Sequence, residues 1–387
     1  MKEYLPLSVP NFQGNELNYV TDAVSQGWVS TGGSYVNAFE NNISEYLHTP
    51  GAVACQSGTA ALHIGLLLCG VTKEDAVLVP ALTFIAAVNP VCYIGAEPIF
   101  MDCDDGLGMD PTKVRDFCQE ECHLEGERLL ENATGRQIKA MVVVHVFGNM
   151  ADMDALTEIA KEYHISIVED ATEAIGTHYT AGKFNGKYAG TIGTTGALSF
   201  NGNKIITTGG GGMILSMEEK LLARAKHLTT QAKADELYYI HDEIGYNYRM
   251  TNLQAALGVA QLEQLDGFIQ VKHRNYEQYQ KEIALIPGLR LLAFRESTRS
   301  NQWFYALYVE DAFPLDRDGV IQLLMKEQIQ ARPIWGLICD QKPYRDAVRY
   351  RIENAIRYHE HVVNLPCSTN LTELDVTRVV DCLKDCL

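Results

Sequence analysis

Three observations predict an α/β fold in two parts. From about residue 50 to residue 215, short apolar runs alternate with stretches of helical periodicity. That is the pattern of a mostly parallel sheet covered by helices on both faces. After Tyr246 the texture changes, and apolar residues recur at helical spacing from Thr251 to Leu285 with no proline until Pro287. A chain of 387 residues is also long enough for two domains sharing one large core. We expect a large domain over residues 1–250 and a smaller C-terminal α+β domain over residues 251–387.

The elements follow in order. Ala52–Cys55 is the first strand, and a helix runs through Ala60–Cys69. Ala76–Val79 is the next strand, followed by a helix around Ile85–Ile94. Glu97–Met101 is a strand, and Asp110-Pro-Thr112 opens a helix with a capping side chain and an early proline. Lys139–His145 is a continuous apolar strand, Met153–Tyr163 a helix, and Ile165–Glu169 a strand closed by Asp170. Thr251–Leu285 is a long helix or a helix pair. Strands at Leu289–Leu292 and Phe304–Val309, a helix at Gly319–Glu327 and a terminal helix at Glu373–Leu387 complete the second domain.

A net charge of -17 argues against nucleic acid as a general partner, because neutralising phosphates needs a basic face. A small phosphorylated ligand held by local dipoles stays open. No run of eighteen apolar residues predicts a membrane span, and the opening residues lack the apolar stretch of a signal peptide. The expected location is cytoplasmic. The ten cysteines contain no C-x-x-C pair. Cys118 and Cys122, like Cys382 and Cys386, stand four apart on predicted helices, with no matching His or Cys pair for a metal. We therefore expect reduced structural thiols and no metal.

The chemistry centres on Lys204 and Asp170. Lys204 lies between two apolar runs, ahead of the tract Gly209–Gly212. A lysine amine attacks a carbonyl only when neutral, which a desolvated setting favours; the bland alternative is a lysine snorkelling from a strand end. Asp170 stands at the carboxyl end of a strand, where ligands of α/β sheets bind. A carboxylate there can pair with the pyridine nitrogen of pyridoxal phosphate, or simply cap a helix. Gln56-Ser-Gly-Thr-Ala-Ala61, between a strand and a helix, offers backbone N–H groups and the Ser57 and Thr59 hydroxyls to an anion, though it also reads as a plain cap. Ser199 is another hydroxyl candidate. Phe84 could lie over a flat ring or belong to the core.

Together these residues resemble the DegT–StrS family of nucleotide-sugar aminotransferases. The resemblance begins at Leu5-Pro-Leu-Ser-Val-Pro10 and Gly27-Trp-Val-Ser-Thr-Gly32. It continues through Ser57-Gly-Thr-Ala-Ala-Leu62, Pro80-Ala-Leu-Thr-Phe-Ile-Ala86, Val144-His-Val-Phe-Gly148 and Val168-Glu-Asp-Ala171. Ser199-Phe200 through Lys204, Gly245-Tyr-Asn-Tyr-Arg-Met250 and Arg332-Pro333 complete it. The resemblance implies the fold type I architecture of pyridoxal-phosphate enzymes. It implies that Lys204 binds the cofactor covalently, Asp170 pairs with its ring nitrogen and Phe84 covers the ring. By the same resemblance Gly58, Thr59, Ala60 and Ser199 hold the phosphate. Asn247 reaches the phosphate of a partner subunit's cofactor, which implies a homodimer with shared sites. Trp28, Ser30, Thr31, His145, Arg249 and Arg332 fall in regions that line the sugar-nucleotide pocket of the family. His145 reads equally as a satisfied strand-end histidine, and Arg249 as a structural pair.

Two positions depart from the family. Glu173 stands where the family usually has Gln near the cofactor's phenolic oxygen, and a carboxylate there is repulsive unless protonated or turned to another donor. Gly210 stands where many relatives carry Glu. Asp170-Ala-Thr-Glu173 and Ser199-Phe-Asn-Gly-Asn-Lys204 resemble the branch that serves bacillosamine and legionaminic acid pathways. That branch implies amino transfer from glutamate to C4 of a UDP-linked 4-keto-6-deoxy-N-acetylhexosamine. A GDP-linked sugar, a 3-keto sugar or a cyclitol ketone is an alternative acceptor. A sugar dehydratase is disfavoured because those relatives carry His at the position of Lys204. The alternative of another class is a non-catalytic regulator that keeps the fold.

Overall fold

The computed structural model describes residues 3–386. The strands of the main sheet are almost wholly buried, as a sheet covered on both faces requires. In chain order they are β1 (Ala52–Cys55), β2 (Asp75–Pro80), β3 (Glu97–Met101), β4 (Gln137–Val144), β5 (Ser166–Asp170), β6 (Thr195–Ser199) and β7 (Gly212–Leu215). Their spatial order is β1-β7-β6-β5-β4-β2-β3, extended at the far edge by a late strand, Arg349–Tyr350. Pairing is parallel from β6 across to that late strand and antiparallel where β7 meets β6 and β1. The antiparallel return has a local cause. Parallel neighbours need a crossover that usually contains a helix, whereas β6 and β7 are joined by the loop 200–211, which carries Lys204 and holds no helix.

The helices are α1 (Glu16–Ser25), α2 (Ser34–Leu47), α3 (Gly58–Leu68), α4 (Asn89–Ile94), α5 (Pro111–Glu120), α6 (Met153–Glu162), α7 (Glu219–Thr229), α8 (Asn252–Leu262), α9 (Leu265–Ile283), α10 (Arg317–Lys326), α11 (Asn354–His361) and α12 (Glu373–Lys384). Several start where the sequence supplies an acceptor. Asp110 caps α5, Asp152 caps α6, and Thr251 with Gln254 forms a reciprocal capping box on α8. A second sheet, antiparallel, holds Leu289–Leu291, Tyr305–Val309, Val362–Leu365 and Arg332–Pro333 in that order.

Three expectations change and one open alternative is settled. The helix expected over Ile85–Ile94 is split into a short 3-10 turn, Ile85–Ala87, and α4, because Pro90 fits only the first turn of a helix. The segment Thr251–Leu285 is a pair, broken between Leu262 and Leu265; α8 packs on α1 and α2, and α9 on α12. Cys118 lies in α5, but Cys122 begins a hairpin strand, Cys122–Glu125, and Cys386 lies past the end of α12, so neither cysteine pair shares a helix. The terminal helix ends at Lys384, and Leu387 lies outside the described residues. Among the described residues no helix is long and apolar enough to cross a membrane.

Candidate active site

Because β1, β2, β4, β5 and β6 run in one direction, their carboxyl ends share an edge, and α3 begins there. A cavity of about 370 Å³ opens at that edge, within the size range of small-molecule sites. Gly58, Thr59, Phe84, Asp170, Glu173, Ser199 and Lys204 all line it. Residues far apart in sequence therefore converge on one cavity.

Each is placed by its local structure. The Ser57 side chain caps α3 by accepting from the Ala60 N–H at 3.1 Å. Gly58 and Thr59 follow it in the first turn, where helix N–H groups have no intrahelical acceptor. The Ala60 N–H is given to this cap, and Ala60 lies outside the cavity lining. The start of α3 lies against β7, and a Cβ on Gly212 would collide with the Ser57 carbonyl. The last glycine of the tract thus has a packing reason, and Gly210 and Gly211 line the cavity.

Asp170 ends β5, paired with Val144 and Ala197. Its Oδ1 accepts the Thr172 N–H at 3.1 Å. Burial pushes its carboxyl above the usual range, with Thr172, Lys204 and His145 acting against that rise. Glu173 is buried beside it. Its Oε2 accepts the Phe147 N–H at 2.8 Å, and its Oε1 lies 3.5 Å from Lys204 Nζ. Burial lifts Glu173 to about 7, opposed first by Lys204. The Lys204 side chain is only 12% exposed, and its Nζ lies 4.1 Å from the centre of the Trp303 ring.

His145 is corrected as a pocket residue. It is fully buried and absent from the cavity lining. Its Nδ1 accepts the Ala151 N–H at 3.1 Å, so the ring proton is on Nε2, which donates to Glu169 at 2.9 Å. Glu169, on the opposite face of β5 from Asp170, also accepts N–H groups of Gly190, Ile192 and Gly193. This is the satisfied strand-end histidine of the alternative reading.

The structure does not bring Trp28, Ser30, Thr31, Asn247, Arg249 or Arg332 to the cavity of their own chain. Buried Asn252 fastens the 28–33 loop by donating to the Trp28 and Ser30 carbonyls and accepting the Tyr35 N–H. Trp28, Asn247 and Arg332 are exposed. Among the described residues Arg249 Nε is buried with no hydrogen-bond partner, and its Nη2 reaches Asn247 Oδ1 at 3.4 Å. Conversely, the cavity is also lined by Thr83, Thr172, Asn201, Asn203, Trp303, Phe304 and Trp335. Asn201 and Asn203 flank Lys204 in a string already singled out. The tryptophans come from the second part of the chain, and nothing local in the sequence ties them to Lys204.

The profile of the DegT/DnrJ/EryC1/StrS aminotransferase family matches residues 10–384. The chain belongs to this family. Among curated relatives of this aminotransferase, it is 35% identical to the putative pyridoxal phosphate-dependent aminotransferase EpsN of Bacillus subtilis, over 99% of this chain and 96% of that protein. It is 34% identical to the GDP-perosamine synthase of Caulobacter vibrioides, over 99% of this chain and 98% of that protein. Among solved structures, the aminotransferase TlmJ from Streptoalloteichus hindustanus superposes with a TM-score of 0.87 at 24% identity, covering 99% of this chain and 98% of that one. The fold is therefore fold type I. Family membership carries amino transfer, sugar chemistry and pyridoxal phosphate, as the motifs implied.

Proposed function

We propose that this sugar aminotransferase moves the amino group of glutamate to the C4 keto group of a nucleotide-linked 4-keto-6-deoxyhexose, for bacterial surface glycan synthesis. The reading is carried by one observation: Lys204, Asp170 and the first-turn backbone of α3 meet in one cavity.

Pyridoxal phosphate fits what the residues offer. Burial raises the cost of ionising Asp170, so its carboxylate gains from a cationic partner such as a protonated pyridine nitrogen. The N–H groups of Gly58 and Thr59, with the Thr59 and Ser199 hydroxyls, suit a phosphate. Phe84, 54% exposed on the cavity wall, suits the face of a flat ring. When bound, the group supplies a carbonyl carbon that can carry nitrogen and a ring that withdraws electrons.

The chain's own residues then divide the work. Lys204 anchors the group at rest. Once displaced, its amine takes a proton from Cα of glutamate in one half-reaction and delivers one to sugar C4 in the other. The face of the sugar that Lys204 reaches sets the new stereocentre. Asp170 keeps the ring nitrogen protonated. Glu173, held by the Phe147 N–H, keeps a second oxygen beside the moving amine. Two half-reactions at one site give ping-pong kinetics.

The acceptor we place first is a UDP-linked 4-keto-6-deoxy-N-acetylhexosamine. Identity of 34% and 33% to two GDP-perosamine synthases favours a GDP-linked acceptor as the second reading. We also infer a homodimer. Asn247 is exposed and does not line its own cavity, and Leu237, Tyr238, Tyr239, Ile240 and Ile244 are exposed apolar residues of the same stretch of chain. The test is mass spectrometry of UDP- and GDP-linked ketosugars incubated with enzyme, pyridoxal phosphate and glutamate. A gain of one amino group on a 4-keto sugar is expected; amination of none overturns the proposal.

A further inference from the structure

Trp303 is held from four directions. Its N–H donates to the Phe147 carbonyl and to Asn301 Oδ1, both at 3.1 Å. Its carbonyl accepts from Lys272 Nζ at 2.8 Å. Its indole Nε1–H donates to the Asn203 carbonyl at 2.9 Å. Its ring stacks on Phe304, with centroids 4.0 Å apart and planes 9° from parallel. Lys272 is itself fully buried on α9 and also bonds the Cys367 carbonyl. A buried lysine is expensive to keep, and this one is spent on two backbone carbonyls, one of them belonging to Trp303.

Over the ring so fixed lies the Lys204 amino group, with Nζ 4.1 Å from its centre. The indole N–H bonds the carbonyl of Asn203, the residue next to Lys204 in sequence. Ring and lysine are thus tied to the same turn of chain. A tryptophan face attracts a cation and has little attraction for a neutral amine. It therefore favours the protonated state of Lys204. Among the described residues, the charged groups shown to act on Lys204 are Glu173 and Asp170, both from the segment that ends β5. Both can be neutralised by protons, but the indole cannot.

We propose that Trp303 is a positioning residue that stabilises Lys204 as an ammonium over its indole face, in the interval when the lysine holds the proton it carries between carbons. The geometry is a cation–π contact set by the Lys272 clamp and the Asn203 carbonyl. In the cycle, Nζ gains one proton and becomes the ammonium, then gives the same proton up and returns to the amine. This role rests on Lys204 being the proton carrier of the proposed function.

The test uses cofactor-free protein. Competitive acetylation across a pH series, read by mass spectrometry of the Lys204 peptide, gives the pH at which that lysine becomes reactive. Trp303→Leu is expected to lower this midpoint by about 0.5 to 1 pH unit. Trp303→Phe, which keeps a weaker face, is expected to fall between Leu and wild type. Growth on fluorinated tryptophan weakens the π face without changing its shape, so it serves if the Leu variant does not fold. A Trp303→Phe protein grown the same way accounts for Trp28 and Trp335. An unchanged midpoint in the Leu variant, or in the fluorinated protein when Leu does not fold, overturns the proposal. The proposed function is read separately, from the visible imine band and the ketosugar panel, so failure of one does not imply failure of the other.

Discussion

Glu173 and Lys204 face each other at 3.5 Å inside the cavity, and the Phe147 N–H holds the other oxygen of Glu173 in place. The carboxyl cannot swing away from the lysine without giving up a backbone hydrogen bond in a buried setting. The conflict expected from a carboxylate at this position is therefore met by two donors, one fixed and one that moves.

This arrangement has a sign in pH. Glu173 is lifted from 4.5 to about 7 by burial, so the folded cofactor-free protein binds more protons than the unfolded chain between those values. Its stability falls as pH rises through that window. Glu173→Gln removes this contribution, which is at most about 3 kcal/mol. Melting curves of both proteins at pH 4.5 and pH 7.5 are expected to converge at low pH and to favour the Gln variant at high pH. Equal pH dependence in both would refute it.

Lys204→Ala is expected to abolish the visible imine band and lower turnover by at least about 10³-fold. Asp170→Asn is expected to keep the band but lower turnover by about 100-fold or more, because the ring nitrogen loses its anion. Absorbance spectra and single-turnover rates on the same preparations separate the two defects. A Lys204→Ala protein that still forms the band would remove this lysine from its role.

His145→Ala removes a donor to Glu169 and strands the Ala151 N–H in a dry site. A loss of about 2–4 kcal/mol in unfolding free energy is expected. The KM for the ketosugar is expected to change by less than about two-fold, since His145 does not reach the cavity. Denaturant titration and steady-state kinetics report the two quantities. A large rise in KM with stability intact would return His145 to the substrate site.

Asn247→Ala and Lys204→Ala proteins are each expected to be inactive. Unfolding and refolding them together is expected to restore about a quarter of the wild-type activity, because half of the resulting C2 dimers carry one intact site. Activity of the mixture no higher than that of either variant alone would argue against shared sites.

Much of this was legible in the sequence, and the physical reason is locality. Asp170 could be read because it ends an apolar strand, and Ser57 because it precedes a helix; both signals lie within a few residues. The strands β1 to β5 followed from the same local periodicity, whereas β6, β7 and the hairpin that starts at Cys122 were not assigned. Trp303 and Trp335 could not be read, because their approach to Lys204 is a tertiary fact of how the second part of the chain meets the first. Arg349–Tyr350 escaped for a related reason: two residues carry no periodicity, and only β3 makes them a strand. His145 stayed undecided because strand-end position is shared by pocket residues and buried pairs alike, and its hydrogen bond to Glu169 on the neighbouring strand is a tertiary contact.

The late strand has a consequence for how the molecule is made. Phe100 and Met101 pair with Arg349 and Tyr350, and Leu5 bridges to Ile329. During translation the outer edge of β3 leaves the ribosome long before the residues that cover it. Until then the nascent chain presents open parallel hydrogen-bonding groups to whatever is near. Stop codons before residue 349 should therefore yield aggregation rather than a smaller folded domain, and synthesis of nearly the whole chain must precede closure of its first sheet.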